Sequence, residues 1–277
     1  MPDLFDLQTY LEPLQLGLVQ RGLIAAIVVA IICGVLGVFV TVRGLAFLGD
    51  ALGHAVFPGV VVAYLFNLNL LLGGLIAGVL VTLGISAATN SRQVRESTAI
   101  GIFYTVAFAL GAVLLSRSRN ASGALSELLI GNVLAVRSSD LWLTCGIAAL
   151  ALLAVALLYK ELVLVSFDPG LAAAQGRNVG LLNTLLFTLL ALAIVISLQT
   201  VGNVLVVALL VVPAATARLM VRSIPAMMAL AALLGCISTI VGVYISYYAD
   251  IASGGAIVLC ACVLFFGVLL GRRLYRG

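Results

Sequence analysis

Arg21-Gly22-Leu23-Ile24-Ala25-Ala26-Ile27-Val28-Val29-Ala30-Ile31-Ile32-Cys33-Gly34-Val35-Leu36-Gly37-Val38-Phe39-Val40-Thr41-Val42-Arg43 sets twenty-one uncharged residues between two arginines. As an α-helix rising ~1.5 Å per residue, that run is about as long as the ~30 Å hydrocarbon core of a bilayer is thick. Reading it as a transmembrane span decides the fold class. Upstream, Met1 to Gln20 carries Asp3, Asp6 and Glu12 with no basic n-region, so it does not read as a cleaved signal peptide.

Downstream the same pattern recurs. Span two runs about Leu45 to Leu65. Span three, Leu70 to Thr89, ends at Arg92 and Arg95. Span four, Thr98 to Leu115, ends at Arg117 and Arg119. The stretch Ala121 to Ser139 encloses only nine apolar-core residues, Leu128 to Val136, between Glu127 and Arg137. That is too short to cross, and it reads as a surface or re-entrant helix. Span five, Leu141 to Tyr159, stops at Lys160 and Glu161. Spans six to nine run about Val179–Leu198, Val201–Met220, Ile224–Tyr248 and Ala256–Leu270. The expectation is an all-α, polytopic membrane protein with about nine transmembrane helices, eight being the alternative count. Residues 1–277 form a single transmembrane domain with a cytoplasmic insert at about 161–178.

Composition agrees: 64% of residues are hydrophobic and 9% charged, with a mean hydropathy of +1.30. The net charge of +4 is accounted for by basic residues flanking spans and calls for no nucleic acid. With the C-terminal arginines in the cytoplasm, ten of the fourteen basic residues fall inside and four outside. This places the N-terminus outside. Cys33, Cys145, Cys236, Cys260 and Cys262 all sit in apolar runs and read as small buried hydrophobes. The single lysine, Lys160, and the absence of any G-x-x-x-x-G-K-[ST] run exclude a P-loop in this chain. No nucleophile, base and orienter gather in one apolar region, which argues against a membrane hydrolase. The chain reads as a transport subunit and not an enzyme.

Span two is where chemistry concentrates. Asp50 stands four residues before His54, the only histidine of the chain. At i, i+4 the two share one helix face, and inside a membrane such a pair is costly enough to suggest a site. One carboxylate oxygen and one imidazole nitrogen suit manganese, zinc or iron(II). Two ligands are too few for a closed site, and a weak site is what a permeation path needs. Water, backbone carbonyls or a second copy of the chain would complete it. Pro58 cannot donate to the carbonyl of His54, which makes that oxygen a candidate third donor. Gly49 and Gly53 form a small-xxx-small face for another helix. Two other readings stay open, a buried pair that only locks helix packing and a proton relay. The relay lacks a second intramembrane acid to continue it. Counting from the cytoplasmic start of span two places Asp50 and His54 about 8 and 14 Å up.

Asp168-Pro169 reads as N-cap and N1 of a short helix, Leu171 to Gln175, with Gly176 at C′. A short helix on the cytoplasmic face suits docking to a partner. Pro213 is a candidate kink or gate in span seven, as Pro58 is in span two. Gln199, Thr200 and Asn203 read as a turn and cap between spans six and seven, and Glu96 as an N-terminal helix charge.

Five stretches together carry a resemblance. Arg43 to Gly59 resembles a Gly-Asp-Ala-Leu-Ser-His-Ala-Val-x-Pro-Gly pattern, and Thr98-Ala99-Ile100-Gly101 a Thr-Ala-Ile-Gly stretch. Leu129 to Val136, with Asp140, is similar to Leu-Phe-Gly-x-Ile-Leu-Ala-Val. Phe167-Asp168-Pro169 and Val211 to Arg218 are similar to a coupling region and an Ile-Pro-Ala-Ala-Thr-Ala-Arg motif. These belong to the membrane permease subunit of bacterial ABC importers for manganese, zinc or iron. The resemblance implies a homodimeric permease in the bacterial cytoplasmic (plasma) membrane. Its partners would be two cytoplasmic ABC ATPase subunits and an extracytoplasmic metal-binding solute-binding protein. The family's metal contacts fall on Asp50 and His54, and its coupling segment on Asp168, Pro169, Gly170, Leu171 and Gly176. Mn2+ or Zn2+ is then cargo, with no cofactor held permanently. Gly53 departs from the family's usual serine, and Pro58 is more like the manganese branch than the zinc branch. An ion-coupled secondary metal transporter and an ABC permease for a metal chelate are the alternatives.

Overall fold

The computed structural model describes residues 17–90, 94–116 and 138–276. Among them are twelve helices and nine segments long and apolar enough to cross a membrane. The expected short helix over Ala121–Ser139 falls almost wholly outside the described residues. The helices are α1 Gly17–Arg43, α2 Leu48–Ala55, α3 Phe57–Leu65, α4 Leu70–Asn90, α5 Glu96–Ser116 and α6 Ser138–Leu157. After these come α7 Tyr159–Phe167, α8 Pro169–Ala174, α9 Val179–Val201, α10 Asn203–Met220, α11 Ile224–Ala249 and α12 Ser253–Arg276.

The deciding run is α1, and it lies at the centre of the bundle. Ala25, Ala26, Val29, Ala30, Ile32, Cys33, Leu36 and Val38 are wholly buried. No polar side chain interrupts this surface, so it packs against helices all round, α11 and α10 most closely. Small residues set the approach. A Cβ at Gly34 would lie 2.7 Å from the backbone nitrogen of Ala232 on α11, and one at Gly37 would overlap the carbonyl of Leu210 on α10. In lipid, such contacts replace the hydrophobic drive that packs helices in water. The outer faces are apolar instead: Trp142, Leu259, Val263 and Leu274 are among the most exposed side chains. That inversion is what a bilayer solvent requires.

One end of the bundle collects the polar ties. Arg43, closing α1, lies 3.4 Å from the Glu96 carboxylate at the start of α5 and donates from Nε to Ser166 Oγ at 3.0 Å on α7. Arg218 donates to the carbonyl of Thr41 at 2.8 Å. The ends of spans one and seven, the start of span four and the insert therefore share one side, as the alternation of spans predicts. Glu96 is more than a helix-end charge, since it pairs with Arg43.

The helices are interrupted at two points. Span five stops at Leu157, and Tyr159–Phe167 forms a helix of its own where Lys160 and Glu161 read as a stop. Its inner face, Leu162 and Val165, is buried, and Glu161 reaches Arg177 at 3.3 Å. Span two breaks at Val56, just ahead of Pro58, whereas α10 continues through Pro213.

Candidate functional site

The α2 helix is short and is held between α5, α9 and α10. Gly49 faces Leu210, a Cβ there lying 2.8 Å from Leu210 Cδ2, and Gly53 faces the side chain of Asn203. The small-xxx-small face thus meets its expected helix. It turns Asp50 and His54 toward the first turn of α10, where they line a cavity of about 310 Å³ with Asn203, Val204 and Val207.

Asp50 Oδ1 lies 3.6 Å from His54 Nε2, beyond hydrogen-bond range. That spacing is close to the edge, about 3.0–3.5 Å, of an octahedron or tetrahedron built on ~2.1 Å metal–ligand bonds. Both side chains keep access to the cavity, at 40% exposure for Asp50 and 25% for His54. On the other flank α5 supplies aromatic rings. Phe108 packs edge-on to the imidazole at 5.5 Å between centroids, and Tyr104 lies tilted at 5.9 Å. They close the apolar side of His54 and leave Nε2 facing the cavity.

Asn203 completes the polar wall. It is 5% exposed, and its Nδ2 stands 3.3 Å from His54 Nε2. Its Oδ1 is buried without a hydrogen-bond partner, a state that costs about 1–3 kcal/mol. The preceding residue, Gly202, joins α9 to α10 alone, at φ 85° and ψ 162°. That backbone conformation is essentially reserved for glycine. The chain reverses there within one residue and delivers Asn203 into the bundle.

Sequence reasoning places Asp50 and His54 together, and they are together. It assigns Asn203 to a turn, and the helix does begin there, but its side chain points at His54. The one available signal is that Asn203 is a polar residue opening an otherwise apolar helix. Tyr104 and Phe108 give none beyond lying on one face of span four. The carbonyl of His54, expected to be free, is approached by the Val56 amide, which also bonds the Leu52 carbonyl. Depth also shifts. Asn203 lies fifteen residues before Arg218, or about 22 Å along α10 at ~1.5 Å per residue. The site therefore sits farther from the Arg218 end than counting from Arg43 suggests, because packing on α10 sets its depth.

The residues expected to contact an ATPase lie elsewhere, at the end that holds Arg43. Asp168 Oδ1 accepts from the Leu171 amide at 2.9 Å, Pro169 starts α8, and Gly176 adopts φ 75° after it. The Gly176 and Arg177 amides close the helix on the carbonyls of Ala173 and Ala172. Phe167 and Leu171 are exposed apolar side chains on this segment. Among the described residues no three His, Cys, Asp or Glu side chains gather.

Comparison with known proteins agrees with this architecture. The manganese transport system membrane protein MntC of Halalkalibacterium halodurans is 49% identical over 246 residues, 89% of this chain and 84% of that protein. The manganese import system permease protein ScaB of Streptococcus parasanguinis is 39% identical over 251 residues, 91% of this chain and 89% of that protein. The solved structure of PsaBC from Streptococcus pneumoniae in complex with Fab superposes with a TM-score of 0.83 at 36% identity, covering 95% of each chain. Residues 15–272 match the ABC 3 transport family. The chain belongs to the ABC 3 transport family, as a multi-pass permease of the cytoplasmic membrane.

Proposed function

We propose that this chain forms the membrane pathway of an ATP-driven importer of a divalent metal ion, with manganese as the cargo and zinc as the nearest competitor. The observation that carries the reading is the convergence of Asp50 Oδ1 and His54 Nε2, at coordination-shell spacing, on one cavity inside an apolar bundle. The identity to relatives named for manganese supports the choice of metal.

Asp50 supplies charge and an oxygen, and His54 a nitrogen. Together they hold the ion in transit, weakly enough for it to leave. Two such residues do not close a coordination shell, and water, a backbone carbonyl or a further donor on the cavity wall completes it. Metal would arrive from an extracytoplasmic binding protein. Two cytoplasmic ATPases would dock on the insert around α7 and α8, since the chain has no P-loop of its own. Asp168, Pro169, Gly170, Leu171 and Gly176 build the α8 contact, and Pro58 marks the break where span two flexes.

Replacing both Asp50 and His54 by alanine in the complex of permease and ATPase, reconstituted with its binding protein, tests the assignment. Manganese uptake is expected to vanish while the complex assembles as before. Undiminished uptake would remove both residues from the pathway.

A further inference from the structure

The wall opposite Asp50 and His54 is a carboxamide, and it is placed like a ligand. Asn203 Nδ2 stands 3.3 Å from His54 Nε2, next to the 3.6 Å between Nε2 and Asp50 Oδ1. Two polar atoms from different helices thus stand within 3.6 Å of His54 Nε2, and all three residues line the same cavity. The other end of the amide, Oδ1, is enclosed against Gly53 with no hydrogen-bond partner. The two ends of a carboxamide have nearly the same shape, and half a turn about Cβ–Cγ exchanges them. With Nδ2 toward the imidazole, its N–H holds the Nε2 lone pair. This keeps the ring proton on Nδ1 and leaves Nε2 as the ligating nitrogen. With Oδ1 toward the imidazole, the oxygen that lacks a partner takes the place of Nδ2 beside Nε2, in the cavity that the Asp50 carboxylate also lines.

We propose that Asn203 is the third protein ligand of the transported ion, its amide donating to His54 in the empty site and turning to present Oδ1 when the ion enters. This rests on the reading of Asp50 and His54 as the metal site. A neutral oxygen suits manganese, whereas a nitrogen or sulfur as third ligand would add to the higher affinity that zinc shows for most donor sets. Asn203 is thereby a specificity residue: it makes the site two oxygens and one nitrogen.

The test is Mn(II) and Zn(II) binding to the full permease–ATPase complex in lipid nanodiscs, followed by calorimetry and by Mn(II) paramagnetic resonance. Asn203→Ala is expected to weaken Mn(II) binding by about tenfold or more. Asn203→Asp keeps an oxygen in place and retains binding, and Asn203→His shifts the preference toward Zn(II). Wild-type Mn(II) binding in Asn203→Ala, with binding lost in Asp50→Ala, would overturn the role of Asn203 and leave the metal site standing. Equal loss in Asn203→Asp and Asn203→Ala, with thermal stability unchanged, would reduce the amide to a hydrogen-bond donor for His54 and overturn its role as ligand. Wild-type binding in Asp50→Ala would overturn both readings. Should Asn203→Ala fail to assemble, the aspartate and histidine variants decide.

Discussion

Gly53 and Asn203 share one volume: a Cβ on the first would overlap the amide oxygen of the second. Overfilling a packed site of this kind costs about 1–3 kcal/mol. Gly53→Ser should therefore lower the thermal stability of the purified permease and push Asn203 off His54. Manganese uptake should fall along with the melting temperature; a serine tolerated in both measurements would show that Asn203 has room to move. The Asp50–His54 pair was legible because its two members are four residues apart on one helix and nothing else in the apolar run competes with them. Asn203 was not. Its neighbours Gln199 and Thr200 make the region read as a turn, and its partner lies on another helix. The burial that turns a capping-type residue into a site residue exists only once α10 meets α2.

At the scale of elements, α8 was legible and α7 was not. Asp168-Pro169 and Gly176 are local signals whose effects end within a turn, so sequence alone suffices. Lys160 and Glu161 are also local signals of a helix end, yet a second helix forms through them, because Leu162 and Val165 find a buried face beyond. Asp168→Ala removes the cap of α8, worth about 1 kcal/mol. Metal binding should be unchanged while uptake and ATPase attachment fall, as measured by binding in nanodiscs beside transport in vesicles. Glu96→Ala would leave Arg43 without its carboxylate in a site where that side chain is 7% exposed. Losing a hydrogen bond to a charged group costs about 1.5–3 kcal/mol. The expected result is a lower melting temperature in detergent; no change would mean that the Glu96 carboxylate adds nothing to what Ser166 gives the guanidinium.

For the whole molecule, the count of spans was legible because hydrophobic length is fixed by the bilayer and does not depend on packing. Which span becomes the core was less so. The most apolar span is α1, but α12, among the next most apolar, lies largely on the outside, so hydropathy alone does not tell core from lipid-facing helix. What singles α1 out is close approach on several sides, where Gly34 and Gly37 admit the backbones of α11 and α10. The chain forms a passage, and the energy source is expected outside it. Vesicles holding the permease without the ATPase should show no concentrative manganese uptake, and adding the ATPase with ATP should restore it. Accumulation driven by a proton or ion gradient alone would instead make the chain a secondary transporter.

Gly202 bears on how the protein tolerates change. Residues 202 and 53 contribute no side chain to the cavity, yet each determines where the Asn203 amide can sit, one through the backbone and the other through space. In a saturation screen for growth on scarce metal, any side chain at position 202, and any larger than serine at position 53, should be as damaging as the loss of Asp50 or His54. A search for ligands by phenotype alone would thus return two glycines that cannot bind anything.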